Sequence, residues 1–173
     1  MTTKKLTAVL LGILVILTWV LGSTILLGAE TMKCRTATTA TKVENIPVSD
    51  EEGHILGVQI LEGLAFFDNG EIAKLRSHAV YDIRPGKAAQ VITYHIYTFE
   101  DGSTFVTRNQ RSMVPDEKGK FSVKVTTEII KGTGRFEGIK GTASATGKTF
   151  PGSKEEPPRS TNDFIFTYTL PTK

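Results

Sequence analysis

Apolar and polar residues alternate through most of the chain after residue 52, and this period of two marks half-buried β-strands separated by turns. Gly57–Phe67 puts Val58, Ile60, Leu64 and Phe66 on one face together with Glu62. Asp68-Asn69-Gly70 follows as a hairpin signal, because Asn and Gly tolerate positive φ. Ile72–Ile83 alternates again, with Ala73, Leu75, Ala79, Tyr81 and Ile83 opposite Lys74, Arg76, His78 and Asp82. Arg84-Pro85-Gly86-Lys87 is a turn, and Gln90–Phe99 is apolar on both faces, as a central strand is. Glu100-Asp101-Gly102-Ser103 turns the chain into Thr104–Arg111. A looser turn at Val114–Gly119 leads to Phe121–Ile130, which aligns Phe121, Val123, Val125, Thr127 and Ile129. Asn162–Leu170 closes the pattern with Phe164, Phe166, Tyr168 and Leu170 on one face.

Between these runs lies Gly132–Gly147, with glycines at 132, 134, 138, 141 and 147 and bulky residues such as Phe136 and Ile139 between them. Glycine inside strands marks bends and close backbone approach, so the stretch predicts two strands meeting at a corner. Lys148–Thr161, with Pro151, Pro157 and Pro158, reads as an exposed loop. The total is about eight strands joined mainly by short connections, which suits an up-and-down meander, and closure into a barrel would remove its edges.

The N-terminus is of another kind. Lys4 and Lys5 precede an uncharged run, Leu6–Ala29, rich in Leu, Val and Ile. That is long enough to cross a bilayer and lacks a small-x-small cleavage site, so a signal anchor is favoured over a cleaved signal peptide for residues 1–29. Residues 30–52, dominated by Thr, Ala and scattered charges, read as an extended tether, with an edge strand at Val43–Val48 limited by Pro47. Residues 53–173 then form the domain, placed outside the cytoplasm, or secreted if the signal is cleaved. Cys34 is the single cysteine, which excludes an intrachain disulfide and leaves intermolecular pairing open.

Charge changes the picture little. The net charge is +3, but of 21 basic residues Lys4 and Lys5 belong to the export segment, leaving 19 against 18 acidic ones. No basic tract interleaves with aromatics, so a nucleic-acid partner is not expected. The histidines lack metal-ligand spacing, no nucleophile elbow exists, and the glycine stretch is not followed by the helix that a dinucleotide fingerprint requires.

Gly132–Gly147, preceded by Tyr97-Thr-Phe-Glu-Asp-Gly-Ser-Thr104, resembles the glycine-rich strand pair of the allene oxide cyclase and dirigent-like barrels. The resemblance covers roughly Gly57 to Leu170. It implies an eight-stranded antiparallel barrel with an apolar central cavity, in families that include cyclases and proteins that steer phenoxy-radical coupling. Dimers and trimers occur among them, so a homo-oligomer is one expectation. The fold expectation is thus all-β, an eight-stranded antiparallel up-and-down barrel preceded by one N-terminal transmembrane or signal helix.

Candidate chemistry follows from the face assignments. Glu62, pointing with its apolar neighbours into a barrel, would be a carboxyl of raised pKa able to move a proton. Tyr81, on an apolar face, could donate to a developing oxyanion. His95 and Tyr97 share one face of the central strand and are ligand-binding candidates, His95 as a general base. Arg108, with Gln110 on the face opposite Asn109 and Arg111, is a third. Each has a bland alternative as a rim, core or solvated residue. The functional expectation is a membrane-tethered or exported barrel that binds an apolar small molecule without a cofactor, with isomerase or cyclase chemistry at Glu62 and Tyr81. The alternative is a non-catalytic lipocalin-like carrier or an envelope interaction domain.

Overall fold

The computed structural model describes residues 28–115, 121–150, 152–153 and 155–172. Eight strands run β1 (Glu30–Pro47), β2 (Ile55–Phe67), β3 (Ile72–Ile83), β4 (Ala89–Thr98), β5 (Thr104–Pro115), β6 (Phe121–Thr133), β7 (Lys140–Phe150) and β8 (Arg159–Thr169). Each is antiparallel to the next, and β1 pairs with β8, so the sheet closes into the expected barrel without an edge. The expected N-terminal transmembrane or signal helix, within residues 1–29, lies outside the described residues except for Gly28 and Ala29. Among the described residues no helix is long and apolar enough to cross a membrane.

Three expectations are corrected. The tether over 30–52 is for most of its length β1, hydrogen-bonded to β2 on one side and β8 on the other. Its inward face is Met32, Cys34, Thr36, Thr38 and Ala40, all buried. Threonine can line an interior when its hydroxyl finds an acceptor. Thr36 donates to the Asn162 carbonyl at 3.3 Å and Thr38 to that of Ser160 at 3.5 Å. A bulge between Ala40 and Lys42 then shifts the alternation by one, so that Val43 and Asn45 line the interior. The proline-rich loop is also shorter than expected, since Lys148–Phe150 pair with Arg159–Thr161.

The third correction concerns which side of β2 is inside. Gly57, Gln59, Leu61, Gly63, Ala65 and Phe67 are the more buried set, whereas Leu56, Val58, Leu64 and Phe66 are exposed on the outer surface. The interior opposite β2 is already filled by large rings from β4, β5 and β8. The strand therefore contributes mainly small residues there, and its most hydrophobic face is the outer one.

The corner between β6 and β7 is a single 3-10 turn, Gly134–Phe136, which opens on Gly134 at φ 62° and is followed by Gly138 at φ 76°. It swings Phe136 and Ile139 under one end of the barrel, both buried. Together with Phe67, Tyr97, Phe99, Phe105, Phe164 and Phe166 they form an apolar plug. Tyr97 stacks on Phe105 with centroids 4.4 Å apart, and Phe166 meets both rings edge-on. Arg135 seals the outside of this pole. Its guanidinium pairs with Glu71 at 2.6 Å and lies 4.6 Å from the Phe99 ring centroid. Above the plug a polar belt crosses the barrel, in which Thr127 donates to Asn109 Oδ1 at 2.6 Å and Asn109 donates to the Thr93 carbonyl at 3.3 Å. This pole is closed, and the other holds a cavity.

Candidate functional site

The cavity occupies about 390 Å³ of the barrel's open half. Residues of seven strands, all but β6, line it. The wall holds the apolar Ile55, Leu61, Ala79, Ile83 and Val91, and among them the polar Asn45, Ser77, Tyr81, Thr93, His95, Arg111 and Asn162. The pairing registers stack these residues in rungs. Tyr81, Val91 and Arg111 are opposite one another on β3, β4 and β5, and Ser77, His95 and Thr107 form a rung nearer the plug.

Tyr81 reaches the mouth. Its ring lies across Gly57 of β2, in space that any side chain at 57 would fill, and its hydroxyl donates to Asn45 Oδ1 at 2.5 Å. Burial raises the hydroxyl above its ordinary pKa. Asn162 on β8 is accommodated in the same way, its amide occupying the space beside Gly147 on β7.

His95 is enclosed, with Nδ1 2.7 Å from Ser77 Oγ and its ring edge-on to Phe164. Burial, and then the nearby Arg111 charge, depress its pKa to about 4, so the imidazole is neutral at neutral pH. A neutral imidazole keeps one donor and one acceptor nitrogen, and the Ser77 hydroxyl can satisfy either at Nδ1. Tyr97 is one step further in, centroid 6.2 Å from that of His95, walled by Phe105 and Phe166. Its hydroxyl has no hydrogen-bond partner among the described residues, and burial drives its pKa well up.

Arg111 is the cation of this interior. Burial lowers its pKa. No carboxylate of the described residues is in ion-pairing distance of it, whereas Arg159 at the mouth is paired with Glu156 at 3.3 Å. A second opening reaches Arg111 from the side. β6 pairs with β7 over Thr127–Ile129, opposite Gly141–Ala143. Beyond that ladder, Val125, Ala145, Thr146, Gly147, Thr149 and Asn162 border a fissure that ends on Arg111. Among the described residues no acidic side chain lines either opening.

The structure thus brings together Tyr81 and His95, puts Tyr97 in the plug beneath them, and separates the remaining candidates. Glu62 points outward, half exposed, 3.5 Å from Arg76, because the lumen side of β2 is the small-residue side. Arg108 also lies on the outer surface, in register with the outward Tyr94 and Glu128. The lumen instead receives its β5 neighbours Asn109 and Arg111. Sequence reasoning singled out neither Ser77, Asn45 nor Asn162. The glycines across from Tyr81 and Asn162 were the available signal, since each leaves room for a long side chain on the next strand.

These features define an eight-stranded antiparallel barrel with one plugged pole and one polar-lined pocket. Among solved structures, the chain is similar to one described as a pterocarpan synthase dirigent protein. The two share 12% identity over 83% of this chain and 90% of that one, with a TM-score of 0.43. No protein-family model matches the chain, and no curated protein matches it.

Proposed function

We propose that the open half of the lumen binds one small, largely apolar molecule in a barrel held outside the cytoplasm by the apolar run at 6–29. The observation that carries this reading is the cavity of about 390 Å³, within the range of roughly 300–1,000 Å³ usual for small-molecule sites. It has a rigid aromatic floor and a few convergent polar groups. Such a site can hold a flexible molecule in one conformer, which is the main requirement of an unassisted cyclisation or isomerisation. Tyr81 and His95 are the groups placed to exchange a proton there, and Glu62 has no part in it.

The carrier reading uses the same cavity without chemistry. Mass spectrometry of molecules retained by the full chain, before and after incubation with the extracted mixture, separates the two. A carrier returns its ligand unaltered, a catalyst converts it, and an empty lumen that takes up no apolar probe ends both. Carbonate washing tests the membrane assignment: an anchored chain stays in the membrane fraction, and release with a new N-terminus near Glu30 contradicts it. The exposed outer row of Leu56, Val58 and Val80 supports the homo-oligomer expectation, which sedimentation of the purified protein tests.

A further inference from the structure

We infer that the ligand of the lumen carries one anionic oxygen group, a carboxylate, enolate or phenolate, and that the Arg111 guanidinium receives it. The inference rests on the reading of the lumen as a small-molecule site and adds the charge of its occupant.

A cation withdrawn from water is costly unless an anion or several acceptors meet it. Arg111 sits inside the barrel wall, yet no carboxylate of the described residues pairs with it. Every described lining residue of both openings that converge on it is neutral or basic. His95, close enough to feel the Arg111 charge, is held neutral and adds no charge of either sign. Arg159, the other cation of the wall, is engaged by Glu156, so among the described residues the interior offers one positive charge without a carboxylate partner. That matches a singly charged group better than a phosphate.

The planar fork of a guanidinium suits two oxygens in one plane. The surrounding groups are those that complete an oxyanion's shell: the Asn162 amide and the hydroxyls of Ser160 and Thr93 line the same cavity. The plug below and Ile55, Leu61 and Val91 beside them fit an apolar body. Sequence proximity conceals this site, since Arg108, three residues earlier on the same strand, faces the opposite way.

The test compares 2-naphthoate with 2-naphthamide, two probes of equal shape that differ in charge. Binding is measured by calorimetry on the full chain in lipid nanodiscs, with empty nanodiscs as the blank. Naphthoate is expected to bind roughly 10- to 100-fold more tightly, the range of a charge-assisted pair. Arg111→Met should remove that preference while naphthamide still binds, and Arg111→Lys should keep part of it. Retained naphthamide binding in Arg111→Met shows that the barrel is intact. Equal binding of both probes to the unaltered protein, or a preference that survives Arg111→Met, overturns the anionic ligand while leaving the lumen reading standing. Failure of both probes to bind overturns both.

Discussion

Tyr81 owes its place in the cavity mouth to Gly57. The ring crosses from β3 onto β2 through space that a Cβ at 57 would occupy, and only from there does its hydroxyl meet Asn45. Gly57→Ala should therefore cost about 1–3 kcal/mol through displacement of the ring. Tyr81→Phe should cost about 1 kcal/mol for the lost hydrogen bond. Because both act on one contact, their double mutant should cost less than the sum. Urea midpoints of the four proteins check this, and strict additivity would show that Gly57 does not position Tyr81.

Glu62→Gln should leave ligand binding and any turnover unchanged. The carboxylate lies on the outer surface, and its pair with Arg76 is an exposed one, worth at most about 1 kcal/mol. Arg108→Gln should behave in the same way. Loss of ligand uptake in either variant would contradict the assignment of these strand faces.

His95 makes stability depend on pH. Its folded pKa, about 4, lies below the unfolded value of 6.5, so the unfolded chain binds the extra proton first as pH falls. The contribution is complete above pH 6.5 and is lost progressively as pH drops from there to 4. It amounts to something on the order of 3 kcal/mol. His95→Gln should flatten that part of the stability–pH curve. An unchanged slope between pH 6.5 and 4 in this variant would assign the dependence to other groups.

Cys34 should be inert while the barrel is folded. It is buried in the plug, and its thiol is pushed up to about 12 by burial, then by Asp163 and Asp68. The thiolate that reacts is thus almost absent at pH 8. A thiol reagent should label it only in denaturant, and rapid labelling of the native protein would place the thiol elsewhere. The same burial removes Cys34 from intermolecular pairing in the folded state.

The barrel was legible because its turns have strong local chemistry. Gly70, Gly86 and Gly102 all adopt positive φ at hairpins that the sequence marks with Asn-Gly, Pro-Gly and Asp-Gly. Alternation located most of the strands, and on β3, β6 and β8 it also located the inner face. It failed on β2, where an interior crowded by Tyr97, Phe105 and Phe166 takes small side chains, so the inner face is the less hydrophobic one. On β1 the inner Met32, Cys34 and Ala40 are spaced by Thr36 and Thr38, and the threonine content conceals the alternation. The alternation alone places Glu62 inward with its apolar neighbours, and it is outside with them. The bulge beyond Ala40 hid Asn45 in a similar way, since a shift of one residue exchanges the two faces. Arg108 and Arg111 are equivalent to hydropathy, and only their opposite positions on β5 distinguish them.

Glu30 pairs with Tyr168 beside the plug, so the described chain both enters and leaves the barrel near its closed pole. The cavity mouth, framed by Asn45, Ile83 and Pro158, is at the far end of the same strands. Tying the N-terminus to a bead, a sensor chip or a bilayer would leave that mouth facing free solution. Molecules would then be exchanged with the aqueous side rather than with the surface that holds the protein.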